Sequence, residues 1–280
     1  MPVRLRKVFT MPVPWRSGLA YRKGLGAALN QGEFVLHYQT IHELRAGTPT
    51  SAEALVRWRH PHRGLVMPGD FIPLAEANGQ IVALGAWIVR ASLRQLREWV
   101  GSHPCAGWSM SVNVSGRQIE DPSIVRYLVR EIESAGVDPA RLILEVTETY
   151  RIHDLVRTAD RLARLRDYGI RIALDDFGSG YLNVKHLQMF PADRVKVDSS
   201  LTGSIDCNTR GRSVLRALID VSRELGMEVV VEGIETAAQR RLAVDVGATH
   251  GQGWYFSKAE PASALGRPEP GSSGTCLASA

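Results

Sequence analysis

Long apolar runs are missing from this chain. No stretch of about 18 or more apolar residues occurs, which argues against a membrane-spanning helix. No apolar segment of roughly 7–15 residues follows the basic N-terminus either, so a secretory signal is not expected. Cysteine is scarce. Cys105, Cys207 and Cys276 are odd in number, far apart and never in CxxC spacing. They fit a reducing, cytoplasmic compartment and argue against a disulfide framework or a zinc site. The eight histidines form no HExxH pair, and His153-Asp154 reads as a helix start. Acidic residues do not outnumber basic ones: the net charge is +5. Much of that excess lies in Arg4, Arg6, Lys7, Arg16, Arg22 and Lys23, and no nucleic-acid or membrane binding follows from it.

What is present is the composition of an ordinary globular protein, 44% hydrophobic and 22% charged over 280 residues. That length fits two small domains or one large α/β domain, and the lack of separate strand-rich and helix-rich halves favours one. Residues 1–16 carry three prolines and no periodicity, and read as a lead-in. Helical pattern covers 17–30, 70–100 (broken at Asn78-Gly79), 121–136, 152–168, 181–188, 209–226 and 235–247. Strands are expected at 34–39, 53–58, 108–114, 141–147, 171–175, 193–197, 228–232 and 249–252, with a Pro/Gly-rich loop over 60–73. Asp121-Pro122 and Glu235-Thr236 look like helix starts, and Gly136, Gly169, Gly226 and Gly247 like stops. Eight strands alternating with helices imply a parallel sheet, and at this length a closed (β/α)8 barrel. The Pro- and Gly-rich end reads as a disordered tail over 265–280, leaving 17–264 as the domain.

Five apolar runs each carry an oxygen ligand or an acid. They are Ser51–Val56 with Glu53, Met110–Val114 with Asn113, Leu142–Val146 with Glu145, Ile172–Asp176 with Asp175, and Val229–Glu232. A carboxylate in a β-branched run is expensive to bury unless something neutralises it. Each has a bland explanation. Glu145 suits an edge strand facing water, Asp175-Asp176 a capping turn, Lys196 a snorkelling strand end, and Glu232-Gly233-Ile234-Glu235 a further turn. Together they would require separate coincidences on consecutive strands. Asn113, Asp175, Asp176 and Glu232 fall near strand ends, where such barrels carry their active sites. Glu53, Asn113, Glu145 and Asp175 form an oxygen set suited to Mg²⁺ or Mn²⁺. The adjacent aspartates suit a second ion, about 3.5–4 Å from the first, in a two-metal phosphodiester hydrolysis. Lys196 beside them would orient water or balance developing charge.

These residues stand in a pattern that resembles the EAL-domain family of bacterial cyclic di-GMP phosphodiesterases. The resemblance rests on Glu53-Ala54-Leu55-Val56-Arg57-Trp58, Asn113-Val114-Ser115, Glu145-Val146-Thr147-Glu148 and Asp175-Asp176-Phe177-Gly178-Ser179-Gly180-Tyr181. It continues through Lys196-Val197-Asp198, Glu232-Gly233-Ile234-Glu235 and Gln252-Gly253, in order from about Ser17 to Glu260. The resemblance implies a modified barrel whose first strand runs antiparallel to the rest. It implies hydrolysis of cyclic di-GMP to linear pGpG with two Mg²⁺ or Mn²⁺ ions. Glu53, Asn113, Glu145 and Asp175 would hold the first ion, and Asp175, Asp176 and Glu232 the second. Lys196 would contact the attacking water and Glu232 would serve as base. Leu55 and Arg57 would bind substrate, with Gln39, Asp198, Glu235 and Gln252 in the same pocket, and Glu148 would anchor the loop after Asp176. It further implies a homodimer. With no GGDEF motif and no sensor segment in the sequence, either the phosphodiesterase stands alone or a partner protein supplies the sensory input. A catalytically weak receptor for the same nucleotide, or a protein-binding regulator, is the alternative. The chain departs from the family at Thr40, where Tyr-Gln-Pro is usual, and at Leu182-Asn183, where two serines are usual. Val231 and Ile234 are milder departures, and none of these removes a proposed metal ligand.

Overall fold

The computed structural model describes residues 18–100, 104–147, 152–178, 184–203, 205 and 208–265. Helix α1 (Gly18–Asn30) leads into strands β1 (Phe34–Glu43) and β2 (Pro49–His60), and β2 turns back into a short β3 (Gly64–Val66). Helices α2 (Pro68–Asn78) and α3 (Ile81–Trp99) are separated where the sequence breaks at Asn78-Gly79. Then come β4 (Ser109–Ser115), α4 (Gly116–Ile119), α5 (Ile124–Ala135), β5 (Leu142–Thr147), α6 (Leu155–Asp167), β6 (Arg171–Phe177) and α7 (Val184–Met189). The chain continues through β7 (Arg194–Val197), α8 (Ser199–Thr202), α9 (Thr209–Glu224), β8 (Glu228–Val231), α10 (Ala237–Asp245) and β9 (His250–Gly251).

The strand order β1-β9-β8-β7-β6-β5-β4-β2, closed by β1–β2 pairing, makes an eight-stranded barrel with β3 as an outside hairpin arm. β1 runs antiparallel to both β2 and β9, while β2, β4, β5, β6, β7, β8 and β9 pair in parallel. The antiparallel first strand therefore stands as expected. Within the region expected to be loop, Gly64–Val66 pairs with Trp58–His60.

Helix ends follow from local chemistry. Asp154 caps α6 by accepting from the Arg157 backbone N–H, and Thr236 forms a capping box with Gln239 at α10. Asp121 instead accepts from Ser123 within a turn, so α5 starts later, at Ile124. Gly136 ends α5 in the left-handed region, at φ 63°.

Strand alternation divides the interior in two. Leu142, Leu144 and Val146 point outward and pack with Leu128, Ile132, Leu162 and Leu165 of the surrounding helices. A second apolar cluster gathers Val197, Val229 and Val231 against Leu215, Ile219 and Ala243 of α9 and α10. The other strand faces line the barrel itself, and they are largely polar. Arg194 on β7 donates to Ser51 on β2 at 3.4 Å, a bond between strands that are not sheet neighbours. Glu228 takes both Arg194 and Arg171 at 2.7 Å on the side where the parallel strands begin. The layer of Glu53, Asn113, Glu145, Asp175 and Lys196 lies two residues further along each strand.

One close approach ties the last strand to the site. Gly253 has φ 154°, and a Cβ there would stand 2.2 Å from Ile234 O. We expect Gly253→Ala to lower stability by about 1–3 kcal/mol through overpacking. Urea denaturation of wild type and variant checks this; superimposed curves would show that the contact relaxes freely.

Candidate active site

A fully buried lysine is surrounded by acids. Lys196 Nζ lies 2.7 Å from Glu232 Oε1, 2.8 Å from Glu145 Oε2, 3.0 Å from Asp175 Oδ1 and 3.2 Å from Glu53 Oε2. Strands β2, β5 and β6 deliver Glu53, Glu145 and Asp175 from their inward faces, and Glu232 follows directly on β8. Asn113 donates to Glu53 Oε1 at 2.7 Å, and Gln252 donates to Glu53 Oε2 at 2.8 Å. The second N–H of Gln252 reaches Gln39 Oε1 at 3.1 Å, and Gln39 in turn donates to Ser257 O at 3.0 Å.

Asp176 joins the cluster through its backbone. Consecutive strand residues point to opposite faces, so Asp175 and Asp176 would ordinarily diverge. The register of β6 against β7 slips between Leu174 and Phe177, and Asp176 takes φ 58°. It is the one non-glycine residue with positive φ among those described. A bulge of this kind re-aims a side chain, and the left-handed backbone carries strain at this position. As a result Asp175, Asp176 and Glu232 each place an oxygen within 4.8 Å of the others.

Charge is unbalanced here: Glu53, Glu145, Asp175, Asp176 and Glu232 face a single ammonium. Burial pushes Glu145 well above the usual carboxylate range, with the charge of Glu53 adding to it. Burial likewise raises Asp175, and it outweighs Lys196 to carry Glu232 up to about 8. Asp176 is raised to about 6 by burial and then by Asp175. Glu53 goes the other way. Burial opposes its charge, but Lys196 and the amides of Gln252 and Asn113 outweigh burial. Burial also works against the Lys196 cation, yet Asp175, Glu145, Glu232 and Glu53 hold it charged, well above the ordinary lysine value.

Divalent cations fit this donor set. The groups are all oxygen donors, the net charge is negative, and the buried Glu145 Oε1 has no hydrogen-bond partner. Asp175 Oδ1 also lacks a hydrogen bond, although the lysine charge stands beside it.

Two hollows open on either side of Glu53 and Leu55. One, of about 370 Å³, runs past Ile72, Pro73, Ile81 and Ile88 to Asn113 and Asp176. The other, of about 310 Å³, is lined by Gln39, Glu232, Glu235, Gln252 and Trp254.

A model of the EAL domain matches residues 22–259. The chain belongs to the EAL family. An uncharacterized signaling protein of Caulobacter vibrioides is 37% identical over 87% of this chain and 30% of its own length. The bifunctional diguanylate cyclase/cyclic di-GMP phosphodiesterase MucR of Pseudomonas aeruginosa is 34% identical over 86% of this chain and 35% of its length. This EAL chain thus spans about a third of the length of the curated relatives it matches. Among solved structures, the MucR phosphodiesterase in complex with c-di-GMP superposes with TM-score 0.81 at 33% identity, covering 87% of this chain and 98% of that one. The EAL enzyme Bd1971, bound to cAMP and cyclic di-GMP, gives 0.82 at 31%, covering 87% and 66%.

Of the residues singled out from the EAL sequence, the structure brings Glu53, Asn113, Glu145, Asp175, Asp176, Lys196 and Glu232 together, with Gln39 and Gln252 touching the cluster. Arg57 is not among the residues lining either hollow. It is buried, and its guanidinium donates to Val56 O at 3.0 Å. Asp198 caps α8 through Ser200 N–H, and Glu235 is exposed at the rim. Glu148, expected to anchor the following loop, lies outside the described residues, as do Leu182 and Asn183. Sequence reasoning missed Trp254 and Ser257. Both sit just past Gln252-Gly253, and the unbroken Trp254-Tyr255-Phe256 run was the available signal.

The raised carboxyls give the metal-free protein a signed pH dependence. A carboxyl whose folded pKa exceeds its unfolded value contributes stability that is present below the unfolded value and lost as pH rises through the folded one. With Asp176 near 6 and Glu232 near 8, stability should fall between about pH 4.5 and 8. Melting curves in EDTA across that range test it, and added Mg²⁺ should raise the melting temperature most at pH 8. A Mg²⁺ effect independent of pH would contradict it.

Proposed function

We propose that this chain hydrolyses cyclic di-GMP to linear pGpG, dependent on Mg²⁺ or Mn²⁺. The observation that carries the proposal is five carboxylates and one charged lysine gathered where the barrel strands end, between two open hollows. Glu53, Asn113, Glu145 and Asp175 would hold one cation, and Asp175, Asp176 and Glu232 a second. Bound there, the cations would acidify a water and neutralise charge on the phosphodiester.

The remaining work belongs to the protein's own groups. Lys196 supplies a fixed positive charge that orients the attacking water and offsets charge developing on the phosphoryl oxygens. Glu232 takes a proton from that water. Water adds across one P–O3′ bond and the 3′ oxygen leaves with a proton, so the ring opens. Leu55 sits between the two hollows and separates the halves of the substrate. Gln39, Gln252 and Glu235 line one of those hollows, and Arg57 and Asp198 complete the proposed binding set. The same proposal includes a cytoplasmic homodimer that either stands alone or takes its input from a sensory partner.

Purified protein incubated with cyclic di-GMP should yield pGpG with Mg²⁺ or Mn²⁺, whereas Ca²⁺, with its longer and looser coordination, should not support turnover. Glu53→Ala should abolish turnover, and Lys196→Ala should reduce kcat by on the order of 10²–10³ while the dinucleotide still binds. Binding without pGpG at micromolar enzyme would instead indicate a receptor.

A further inference from the structure

Arginines gather on one side of α3. Arg90, Arg94 and Arg97 stand at i, i+4 and i+7, so they share a face over about 10 Å of helix. All three are exposed, and they line a hollow of about 420 Å³ between α3 and α5. Leu93 and Ala135 form its apolar part. Two glutamates share the hollow, yet each is engaged by a neighbour on its own helix. Glu98 Oε2 accepts from Gln95 at 3.0 Å, and Glu131 Oε1 lies 3.8 Å from Arg130. Arg90 donates to the Tyr127 hydroxyl at 3.4 Å. None of the three arginines of the hollow makes an ion pair among the described residues.

The other side of the same helix reaches the barrel mouth. Ile81 and Ile88 of α3 line the apolar hollow beside Asn113 and Asp176, half a turn round from the arginines. The helix is also keyed to its neighbours. A Cβ at Gly85 would collide with the Gln118 amide, and Gln118 closes the capping box with Ser115 at the end of the strand that carries Asn113. Tyr127 donates to Ala86 O at 2.9 Å, which fixes α5 against α3. Whatever settles between α3 and α5 therefore bears on a helix built into the wall of the site.

We propose that the groove between α3 and α5 docks an acidic helix of a partner protein. Its carboxylates meet Arg90, Arg94 and Arg97, and its apolar edge meets Leu93 and Ala135. Charge complementarity selects that occupant. Guanidinium forks grip phosphates as well as carboxylates, but a compact phosphate is filled by one or two of them. Three forks strung along about 10 Å of helix match a row of carboxylates with the same repeat. Contacts of this kind lie in water, so the affinity falls as salt rises. The groove gives the sensory partner of the proposed function a place to bind, and it does not rest on which substrate the barrel takes.

The probe is a fluorescein-labelled, alanine-based helical peptide of about 20 residues. It carries glutamates at i, i+4 and i+7 on one face with leucines beside them. A shuffled peptide of the same composition spreads the glutamates round the helix. Fluorescence anisotropy with the full chain, without nucleotide or metal, measures both. The patterned peptide should bind about tenfold more tightly than the shuffled one, and Arg94→Glu/Arg97→Glu should lose about that factor. Arg94→Gln/Arg97→Gln should lose part of it. Arg210→Glu/Arg241→Glu makes the same charge change at exposed positions of α9 and α10, and should bind as wild type does. A lysine-bearing peptide of the same pattern should prefer the charge-reversed groove to wild type, which also shows that the variant is folded. Equal binding of patterned and shuffled peptides, or binding by neither, would overturn the dock. So would a charge-reversed groove that keeps wild-type affinity. Pyrophosphate that binds wild type but not Arg94→Glu/Arg97→Glu, where the patterned peptide fails to bind, would make the groove a small-anion site and also overturn it. No turnover is read, so a protein that leaves cyclic di-GMP intact would keep the dock. A failed dock would leave the phosphodiesterase proposal intact, with the enzyme standing alone.

Discussion

Lys196 makes the centre of the barrel possible. Its ammonium, itself fully buried, touches Glu53, Glu145 and Asp175 on three strands and Glu232 just past a fourth. Taking any one of those charges out of water costs several kcal/mol, and a single ammonium cannot repay that for all four. The remainder appears as carboxyls pushed up towards neutrality and as acceptors left without donors. The cluster is thus a compromise, held by one ammonium where the donor set suits further cations. Such a site gains from divalent cations what a fully satisfied ionic network would not.

The second constraint is geometric. A strand supplies one inward residue in two, so a barrel of regular strands offers one ligand per strand at a given level. β6 breaks that limit. Its slipped register and the left-handed Asp176 put two consecutive carboxylates on the same side, and Phe177 still returns to the apolar shell outside. A bulge just after Glu53, Asn113, Glu145 or Lys196 would instead have turned Ala54, Val114, Val146 or Val197 into the barrel. The strain at Asp176 therefore goes with the gathering of the carboxylates rather than with the fold's stability.

Much of this was legible in the sequence because acids are rare in β-branched runs. Glu53, Glu145, Asp175 and Lys196 announced themselves by their surroundings, and strand alternation then set their direction. The barrel followed from eight strands alternating with helices, whereas the antiparallel β1 came only through the family resemblance. Other features depended on contacts that a linear pattern does not carry. Asp175-Asp176-Phe177-Gly178 reads equally well as a strand end or a turn, so the positive φ was hidden. The Gly64–Val66 arm lay in a stretch whose Pro and Gly content signalled loop, yet three residues sufficed to pair. Asp121-Pro122 resembled a helix start, but the Asp121 carboxylate serves Ser123 instead.

Closure of the barrel shows how the fold and the chemistry depend on each other. β1 is the strand of opposite direction, and β9 pairs with it through only His42 and Glu43. Side chains complete what so short a ladder leaves open. Thr40 donates its backbone N–H to Ser257 Oγ at 3.2 Å and shares a 2.6 Å hydroxyl contact with it, while His42 Nε2 lies 2.9 Å from the Thr40 hydroxyl. The proline usual in this family has no N–H and forms neither bond of Thr40 to Ser257. Beside that pair, Gln39 joins Ser257 O to Gln252, and Gln252 joins Gln39 to Glu53. The seam of the barrel thus runs without interruption into a proposed metal ligand. Any movement of the 252–257 segment shifts an amide that holds Glu53, so the residues that close the barrel also set where that carboxylate points.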